Sequence, residues 1–440
     1  MDDKLIEAIE TGDLDKIICL IEKGADVHAY NDLAIHEASR NGHVEIVKFL
    51  VEKGADIHAD NDSALQEASY YGHLEVVKFL IEKGADIHAE DDLAIRKASL
   101  YGRLEIVKFL IENGADIHAD NDGPLCLASE YGHLEIIKLL IEKGADIHAE
   151  NDYAFYKALQ YGRLDVVKLL IEKGANINAH NGLAFCLASQ YGHLEIVKLF
   201  SYKYTNIDIY YYKALNMASE NGHLEVVKFI YVMMANVYIQ HESALCSASH
   251  NGHIRVVKFL VEKGININAI SAAFCEASEN GYIEVVKFLI KKGANIHIEH
   301  ESALRSASKN GHIEVVKFLV KQGADIHALN DEAFRLALQN GCLEVIKFFI
   351  EKGADVSFLT INMKIKLGIS FNWSEKPDGL PSFKKLSECP ISRKDLTTDI
   401  SQLGCETCLN VFEQFALEKW LEIGNELCPI CRTGKMFYAV

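Results

Sequence analysis

Four cysteines near the carboxyl end of this 440-residue chain have a spacing that suits one kind of chemistry. Cys405 and Cys408 form one pair, Cys428 and Cys431 form a second pair, and nineteen residues lie between the pairs. A two-residue spacer lets both sulfurs of a pair face one ion, and two such pairs provide four thiolates for a tetrahedral shell. The spacing therefore predicts a site for one zinc ion.

A long internal repeat precedes these cysteines. The sequence repeats every thirty residues over residues 1–359, and only one interval departs from that period, by one residue. Twelve units fit into this range. A glycine marks the same place in each unit, at Gly12, Gly42, Gly72, Gly102, Gly132, Gly162, Gly192, Gly222, Gly252, Gly281, Gly311 and Gly341.

Each unit has the pattern of two short helices. Asp62 is predicted to cap the first helix, because its carboxylate can accept the free backbone N–H groups of the first turn. Ala64 and Ala68 belong to a stripe of small residues that permits close approach. The second helix, near Leu74, carries a heavier apolar face and ends at Gly84 in a left-handed conformation. Short helix pairs cannot bury such faces alone, so the units are predicted to stack into a solenoid with one core.

The second half of the unit resembles the ankyrin repeat almost letter for letter, as Gly-His-Leu-Glu-Val-Val-Lys-Phe-Leu-Ile-Glu-Lys-Gly-Ala-Asp-Ile at 72–87. The resemblance implies an α fold, an ankyrin-repeat solenoid of about twelve helix pairs that binds a protein target on its concave face. The usual Thr-Pro-Leu-His opening has become Ser-Ala-Leu-Gln at 63–66, and the period is about three residues short. The missing residues fall between Ala59 and Ala64, which predicts shortened hairpins and favours recognition by the inner helices.

Composition restricts the partners that we expect. The chain has 45 basic and 63 acidic residues, a net charge of −18, and ten residues of each sign follow residue 360. The excess acid therefore lies on the array, which argues against a nucleic-acid partner and favours basic or neutral proteins. We find no apolar stretch of about eighteen residues and no signal peptide, so we expect neither a membrane span nor secretion.

The cysteines of the array indicate a reducing compartment. They occupy helical positions too far apart in repeat register for an obvious disulfide framework, so reduced thiols and a cytoplasmic location are expected, with the nucleus still open. These cysteines are Cys19, Cys126, Cys186, Cys246, Cys275 and Cys342.

A row of tyrosines precedes the repeat glycine in five consecutive units, and asparagine takes the position in the next five. Because equivalent positions of a stacked solenoid form a row, we predict that this row binds the protein partner. The alternative is recent duplication with tyrosines that only stack on one another. The row consists of Tyr71, Tyr101, Tyr131, Tyr161 and Tyr191.

Repeats seven and eight depart from the pattern. Tyr204 and Met234 replace the glycine that ends the second helix, and residues 202–212 are rich in tyrosine. A side chain in the left-handed region costs on the order of 1 kcal/mol. The departure indicates a bend, an interaction patch, or sequence drift in a protein with a large core.

Histidines recur with the same thirty-residue period. Metal ligands would converge at one point, whereas a ladder of histidines is typical of hydrogen bonds that belong to the repeat itself. We therefore interpret these histidines as structural. They include His58, His73, His88, His118 and His133.

The composition changes after the repeats. Four of the five prolines and both tryptophans lie in the last eighty residues, so we place a linker at 360–384 and a small domain at 385–440. About fifty residues are too few for an ample core alone, which makes a metal staple physically sensible. A predicted amphipathic helix begins at Phe412 and ends at Leu421.

The order of motifs in this tail is similar to a RING finger or to its zinc-free relative, the U-box. The carrying motifs are Cys-Pro-Ile at 389–391, a helix ending in Trp-Leu, and Cys-Pro-Ile-Cys-Arg at 428–432. A complete RING binds two zinc ions, and too few ligands are present here. The resemblance implies one zinc ion on the four paired cysteines and a degenerate second site around Cys389, Ser392 and Glu413, within a small α+β domain.

The combination of array and tail is similar to ankyrin proteins of giant DNA viruses. The resemblance implies a scaffold that recruits a target, in the host cytoplasm if the chain is viral, and promotes its ubiquitination as a RING/U-box-type E3 ligase. Ile391, Trp420 and Pro429 would then contact the ubiquitin-conjugating enzyme, and Arg432 would bridge it to ubiquitin. The alternatives are core, turn and solvated positions for these residues, in a non-catalytic host-protein-binding scaffold with a purely structural zinc cap.

Overall fold

The computed structural model describes residues 1–177, 179–203, 210–234, 242–264, 266–357 and 359, together with 402–405, 411–413 and 436–439. The described residues form 24 helices in twelve successive pairs, numbered here as repeats one to twelve, and three strands. The helices of repeats one to six are α1 Asp2–Thr11, α2 Leu14–Glu22, α3 Ala29–Arg40, α4 Val44–Glu52, α5 Ala59–Tyr71, α6 Leu74–Glu82, α7 Ala89–Leu100, α8 Leu104–Glu112, α9 Ala119–Tyr131, α10 Leu134–Glu142, α11 Ala149–Gln160 and α12 Leu164–Glu172. Those of repeats seven to twelve are α13 Ala179–Gln190, α14 Leu194–Lys203, α15 Tyr211–Glu220, α16 Leu224–Met233, α17 Glu242–His250, α18 Ile254–Glu262, α19 Ile267–Glu279, α20 Ile283–Lys291, α21 Ser302–Lys309, α22 Ile313–Lys321, α23 Ala328–Gln339 and α24 Leu343–Glu351.

The core of each repeat has the same composition. In repeat three the small residues Ala64 and Ala68 are fully buried in α5, and Val76, Val77 and Leu80 are fully buried in α6. Small side chains on the first helix let adjacent helices approach, and the larger aliphatic residues fill the space between the layers. The predicted solenoid of helix pairs is confirmed. None of the helices within the described residues is both long and apolar enough to span a membrane.

The repeat glycine forms the turn between the two helices of a pair. In all twelve repeats its φ lies between 69° and 95°, in the left-handed region that favours glycine. At Gly42 a Cβ atom would also lie 2.3 Å from the ring of His73 in the next repeat. Glycine is therefore required both by the backbone and by the neighbouring side chain. Gly84, with φ of 98°, ends α6 as predicted.

A left-handed turn replaces the hairpin at the start of most first helices. Asp60, Asn61 and Asp62 have φ values of 52°, 55° and 58°. The same three-residue turn recurs at 30–32, 90–92, 120–122, 150–152, 299–301 and 329–331. Asp and Asn tolerate this conformation better than other non-glycine residues, and the turn is compact. The shortened hairpin follows from the three residues that each unit lacks.

The predicted N-cap role of Asp62 is wrong. Its carboxylate accepts the Nδ1–H of His58 at 3.1 Å and, at 2.8 Å, the backbone N–H of Asp86 in the loop that leads to the next repeat. Asp62 itself has left-handed dihedrals, which direct its side chain back toward the preceding loop and not along its own helix. An acidic residue that looks like a cap therefore joins two successive loops between repeats.

The chain forms two compact units, Met1–Ile265 and Asn266–Val440. The single short interval of the repeat, from Gly252 to Gly281, spans the division between them. In the second unit, α19 begins directly after Asn266, whose side chain accepts the backbone N–H of Ala269 at 2.8 Å. The domain boundary predicted near residue 360 falls outside the described residues and stays a prediction.

Repeat eight accommodates its missing glycine by a longer helix. Met234 has φ of −82° and is buried, and α16 has ten residues where the regular second helices have nine. The expected left-handed strain at this position is therefore wrong, because the helix continues and the thioether enters the core. Tyr204, its counterpart in repeat seven, lies outside the described residues.

Three strands form an antiparallel sheet near the carboxyl end, in the order β2-β1-β3. They are β1 Gln402–Cys405, β2 Val411–Glu413 and β3 Met436–Ala439, with Gln402 paired to Glu413 and Cys405 paired to Met436. The helix predicted to begin at Phe412 is wrong at its start. Val and Phe favour a strand where a neighbouring strand is available, and 414–421 lie outside the described residues.

Candidate partner-binding surface on the first helices

The ends of the first helices in repeats three to seven present a common surface. Near the end of each helix, three part-exposed positions have the spacing i, i+3 and i+4, which places them on one face. We call this the tyrosine surface, because its last position is tyrosine in every one of these repeats. Its members are Glu67, Tyr70, Tyr71, Lys97, Leu100, Tyr101, Leu127, Glu130, Tyr131, Lys157, Gln160, Tyr161, Leu187, Gln190 and Tyr191.

The predicted tyrosine row lies on this surface, and its rings remain accessible. All but the first are 38–44% exposed. Tyr131 and Tyr161 stack with ring centroids 6.3 Å apart, whereas Tyr101 packs against Tyr70 at 4.0 Å. Stacking between neighbours thus coexists with a large open ring area. The role of the row in partner binding stays a prediction.

The charges of the tyrosine surface are paired within it. Lys97 lies 3.3 Å from Glu67, and Lys157 lies 3.0 Å from Glu130, one repeat earlier in each case. The ammonium of Lys157 also lies 5.7 Å from the ring centroid of Tyr161. A hydrogen bond to Glu130 raises the pKa of the Tyr161 hydroxyl, which keeps that ring neutral. The pairing leaves an aromatic and aliphatic surface with little unbalanced charge.

Histidines join the helices of the tyrosine surface by hydrogen bonds. The Nε2–H of His133 donates to the carbonyl of Leu100 at 3.0 Å, and that of His193 donates to the carbonyl of Gln160 at 2.9 Å. The ring of Tyr131 is nearly parallel to that of His133, at a centroid distance of 6.5 Å. The structural interpretation is confirmed for His73 and His133, because each donates to a carbonyl of the preceding repeat. The other predicted histidines, His58, His88 and His118, are structural in a different way, since each bonds to the aspartate four residues later.

Two arginines take the place of this histidine and were missed by the sequence reasoning. The Nε–H of Arg103 donates to the carbonyl of Tyr70 at 3.1 Å, and that of Arg163 donates to the carbonyl of Glu130 at 2.9 Å. The signal was present in the chain, since Arg follows the repeat glycine only in repeats four and six. Both arginines lie beside tyrosines of the row.

A ladder of buried carboxylates runs along the opposite ends of the first helices. Asp62 and Asp92 are almost fully buried, and each accepts a histidine Nδ1–H and a backbone N–H of the next loop between repeats. The ladder consists of Asp32, Asp62, Asp92 and Asp122.

These carboxylates serve the stacking of repeats and leave no ligand set for a metal. No group of three or more histidine, cysteine, aspartate or glutamate residues in the described part of the chain could hold a metal ion. Burial raises the pKa of the Cys126 thiol to about 12, so this thiol stays protonated and is a poor nucleophile.

Helix pairs, glycine turns and anchored histidines recur through the array. A family model described as "Ankyrin repeats (3 copies)" matches residues 5–91, 95–181, 185–271 and 273–359. The chain belongs to the ankyrin repeat family. The crystal structure of the human ASB11 ankyrin repeat domain is similar to this ankyrin-repeat protein, with 28% sequence identity and a TM-score of 0.40, over 44% of this chain and 96% of that one. A comparison with the curated proteins gives no match.

Ankyrin repeats typically bind protein targets, so membership in the family indicates a protein-interaction scaffold. The tyrosine surface has two features that favour such binding, and its role as the binding site stays a prediction. Its rings offer large contact areas at a low cost in side-chain entropy, and its helices are fixed by the ties to both neighbouring repeats.

Two of the predicted residues of the tail lie in described strands. Cys405 ends β1 and Glu413 ends β2. The other predicted residues lie outside the described part of the chain, and their roles stay predictions. They are Cys389, Ile391, Ser392, Cys408, Trp420, Cys428, Pro429, Cys431 and Arg432.

Proposed function

We propose that this ankyrin-repeat protein recruits a protein target on its tyrosine surface and promotes ubiquitination of that target through residues 385–440. The observation that carries recruitment is the run of five first helices with a tyrosine at the same position, four of them exposed, and with two ion pairs beside the row. Repeats eight to twelve lack such a run, because asparagine takes the same position from Asn221 onward.

The zinc proposal is supported by the pairing of β1 with β3. Antiparallel pairing sets the end of one strand beside the start of the other, and here Cys405 at the end of β1 is opposite Met436 at the start of β3. In the sequence, Cys408 follows Cys405 by three residues and Cys431 precedes Met436 by five. This topology favours convergence of the two cysteine pairs on one ion.

The proposed ligase role is one of positioning. Ile391, Trp420 and Pro429 would form an apolar contact for a ubiquitin-conjugating enzyme, and the guanidinium of Arg432 would bridge that enzyme to ubiquitin. Zinc, when bound by the four paired cysteines, supplies the structural staple that a short domain needs. We further propose that the protein works in the cytoplasm, and in the host cytoplasm if it is of the giant-virus type.

Auto-ubiquitination of the full chain with a panel of conjugating enzymes tests the ligase role. We expect activity with at least one enzyme, and a strong loss of activity with Ile391→Ala and with Arg432→Ala. Metal analysis of the full chain should give one zinc ion per molecule. Inactivity with every conjugating enzyme, or activity that neither substitution changes, would leave a non-catalytic scaffold with a structural zinc cap.

Capture of targets from cell extract tests recruitment separately. We expect the triple variant Tyr101→Ala, Tyr131→Ala, Tyr161→Ala to lose proteins that the unchanged chain captures. A matched control is the double variant Asn221→Ala, Asn251→Ala, which alters the same repeat position outside the tyrosine surface. Equal capture by the tyrosine variant and the control would contradict the proposal.

A further inference from the structure

We propose that the tyrosine surface binds an acidic segment of polypeptide whose carboxylates are held by Arg103 and Arg163. This inference rests on the proposed function of that surface and adds the chemistry of its partner. It starts from the position after the repeat glycine, which histidine occupies in most repeats and arginine occupies in repeats four and six.

Each of the two guanidinium groups is fixed at one end. The Nε–H of Arg103 and that of Arg163 donate to backbone carbonyls of the preceding repeat, at 3.1 Å and 2.9 Å. Both side chains are only part-buried. The two terminal nitrogens of a guanidinium form a planar fork that matches the two oxygens of a carboxylate. Fixing Nε orients that fork before any partner arrives.

Neither arginine forms an ion pair among the residues that the structure describes, because nearby carboxylates have other partners. Glu105, two residues after Arg103, lies 2.7 Å from Lys108. Asp165, two residues after Arg163, lies 3.2 Å from Lys168. The carboxylates of the tyrosine surface itself are paired with its lysines, so the two arginines supply the unbalanced charge.

The negative net charge of the chain does not oppose this assignment. Exposed acids without an ion pair, such as Asp60 and Glu150, lie in the left-handed turns at the opposite ends of the first helices. Nine or ten helical residues separate the two ends, which is roughly 14 Å and exceeds the Debye length of about 8 Å at physiological salt. The expectation of a basic or neutral partner came from the net charge of the whole array. That net charge does not distinguish the acidic end of the first helices from the end that carries the arginines.

The spacing of the arginines restricts the partner further. They lie two repeats apart, and packed helices are about 8–10 Å apart, so the guanidinium groups are roughly 16–20 Å apart. An extended segment covers that distance in about five or six residues. The part-exposed ring of Tyr131 lies between them along the row. The geometry points to two acidic residues five or six positions apart, with an apolar residue between them.

Fluorescence anisotropy with the full chain and labelled peptides tests the inference. The probe is a Gly/Ser peptide with two glutamates six positions apart and a central leucine, and its control has glutamine in place of both glutamates. We expect the double variant Arg103→His, Arg163→His to bind the glutamate peptide about tenfold or more weakly, since charged hydrogen bonds are lost. Histidine can restore the bond to the carbonyl, as His133 and His193 do, so the fold is retained.

A second control introduces arginine at the equivalent position of a different repeat. His253→Arg lies outside the tyrosine surface and should leave the affinity for the glutamate peptide unchanged. Equal binding of the glutamate and glutamine peptides overturns the proposal of an acidic partner. If the tyrosine-to-alanine variant then loses both peptides, the result still supports binding at the tyrosine surface. Failure of the unchanged chain to bind either peptide also overturns it, and target capture remains a separate test of the proposed function.

Discussion

Two segments of the first unit join their repeats by different chemistry. In the regular segment, residues 26–155, a buried aspartate at the start of each repeat accepts a backbone N–H from the loop that leads to the next repeat, as Asp92 does from Asp116 at 2.8 Å. In the irregular segment, residues 179–234, glycine and tyrosine occupy that position as Gly182 and Tyr212. The carboxylate is gone from both places, yet the helix pairs still stack.

Aromatic rings take over in the irregular segment. The ring of Tyr210 lies so close to Gly182 that a Cβ atom there would be 2.3 Å away, and Tyr211 packs edge-on against Phe185 at 5.4 Å. A buried aromatic side chain removes about 150–250 Å² from water, which stabilises by roughly 4–6 kcal/mol at 25 cal/mol per Å². The thirty-residue stack therefore accepts either a polar or an apolar tie between successive repeats.

The largest expected effect is the loss of one polar tie. Asp92→Ala leaves the imidazole N–H of His88 and the backbone N–H of Asp116 without their acceptor. We expect the free energy of unfolding to fall by about 3 kcal/mol. Urea unfolding and amide exchange across residues 114–122 measure this loss. Asp92→Asn keeps the shape and one acceptor oxygen and should cost clearly less. Equal stability of the alanine and asparagine variants would show that the ladder contributes little.

A substitution in the irregular segment tests whether its tie is truly apolar. The repeat pattern favours aspartate at residue 182, but Gly182→Asp would drive a Cβ atom into the ring of Tyr210. We expect a loss of about 2 kcal/mol from overpacking, although the same change makes the sequence more regular. Thermal unfolding with Gly54→Asp as a control is informative, because nothing lies within 4 Å of the Cβ position at Gly54. Stabilisation by Gly182→Asp would refute the aromatic tie.

A smaller gain is expected from relief of the left-handed turns of the regular segment. Glu150 has φ of 49° and an exposed side chain, so Glu150→Gly should stabilise by about 0.5–1 kcal/mol after the entropy cost of glycine. Glu142→Gly, at the end of α10, provides the contrast, because glycine in a right-handed helix destabilises. The midpoints of thermal unfolding should therefore move in opposite directions.

The smallest expected effect is on the pH dependence of stability, and the direction of that dependence differs between the two segments. A hydrogen bond to Asp92 raises the pKa of His88, so its contribution is full below the unfolded pKa of about 6.5 and declines as pH rises through the folded pKa. Burial lowers the pKa of His223, so its contribution is full above about 6.5 and declines as pH falls through the folded pKa. Stability measured against pH should flatten above 6.5 in His88→Gln and below 6.5 in His223→Gln. Changes of the same sign would contradict this assignment.

The period and its glycines made the fold predictable. Helix pairs, left-handed glycine turns and shortened hairpins follow from composition within one unit, because each depends on local backbone preference and on the need to bury an apolar face. The role of Asp62 did not follow, since a helix cap and an acceptor for the next repeat have the same local sequence. Its true partner, the N–H of Asp86, lies twenty-four residues further along the chain.

The candidate site was predictable in part for a similar reason. The tyrosine row is a repeated residue type and could be found from the repeat register alone. Arg103 and Arg163 depart from the repeat, and their role depends on residues that are close in space but not in sequence. Met234 shows the same limit. The pattern predicted a strained cap, but the available core volume allowed the helix to continue.

The aspartate ties of the regular segment join only adjacent loops, and this has a mechanical consequence. Under tension applied at its two ends, the regular segment would lose one tie at a time, and each event would release thirty residues of contour. At about 3.3–3.6 Å per extended residue, each step lengthens the molecule by roughly 100 Å. A force–extension trace would show a sawtooth with that spacing, so the array would behave as a serial spring whose links yield separately.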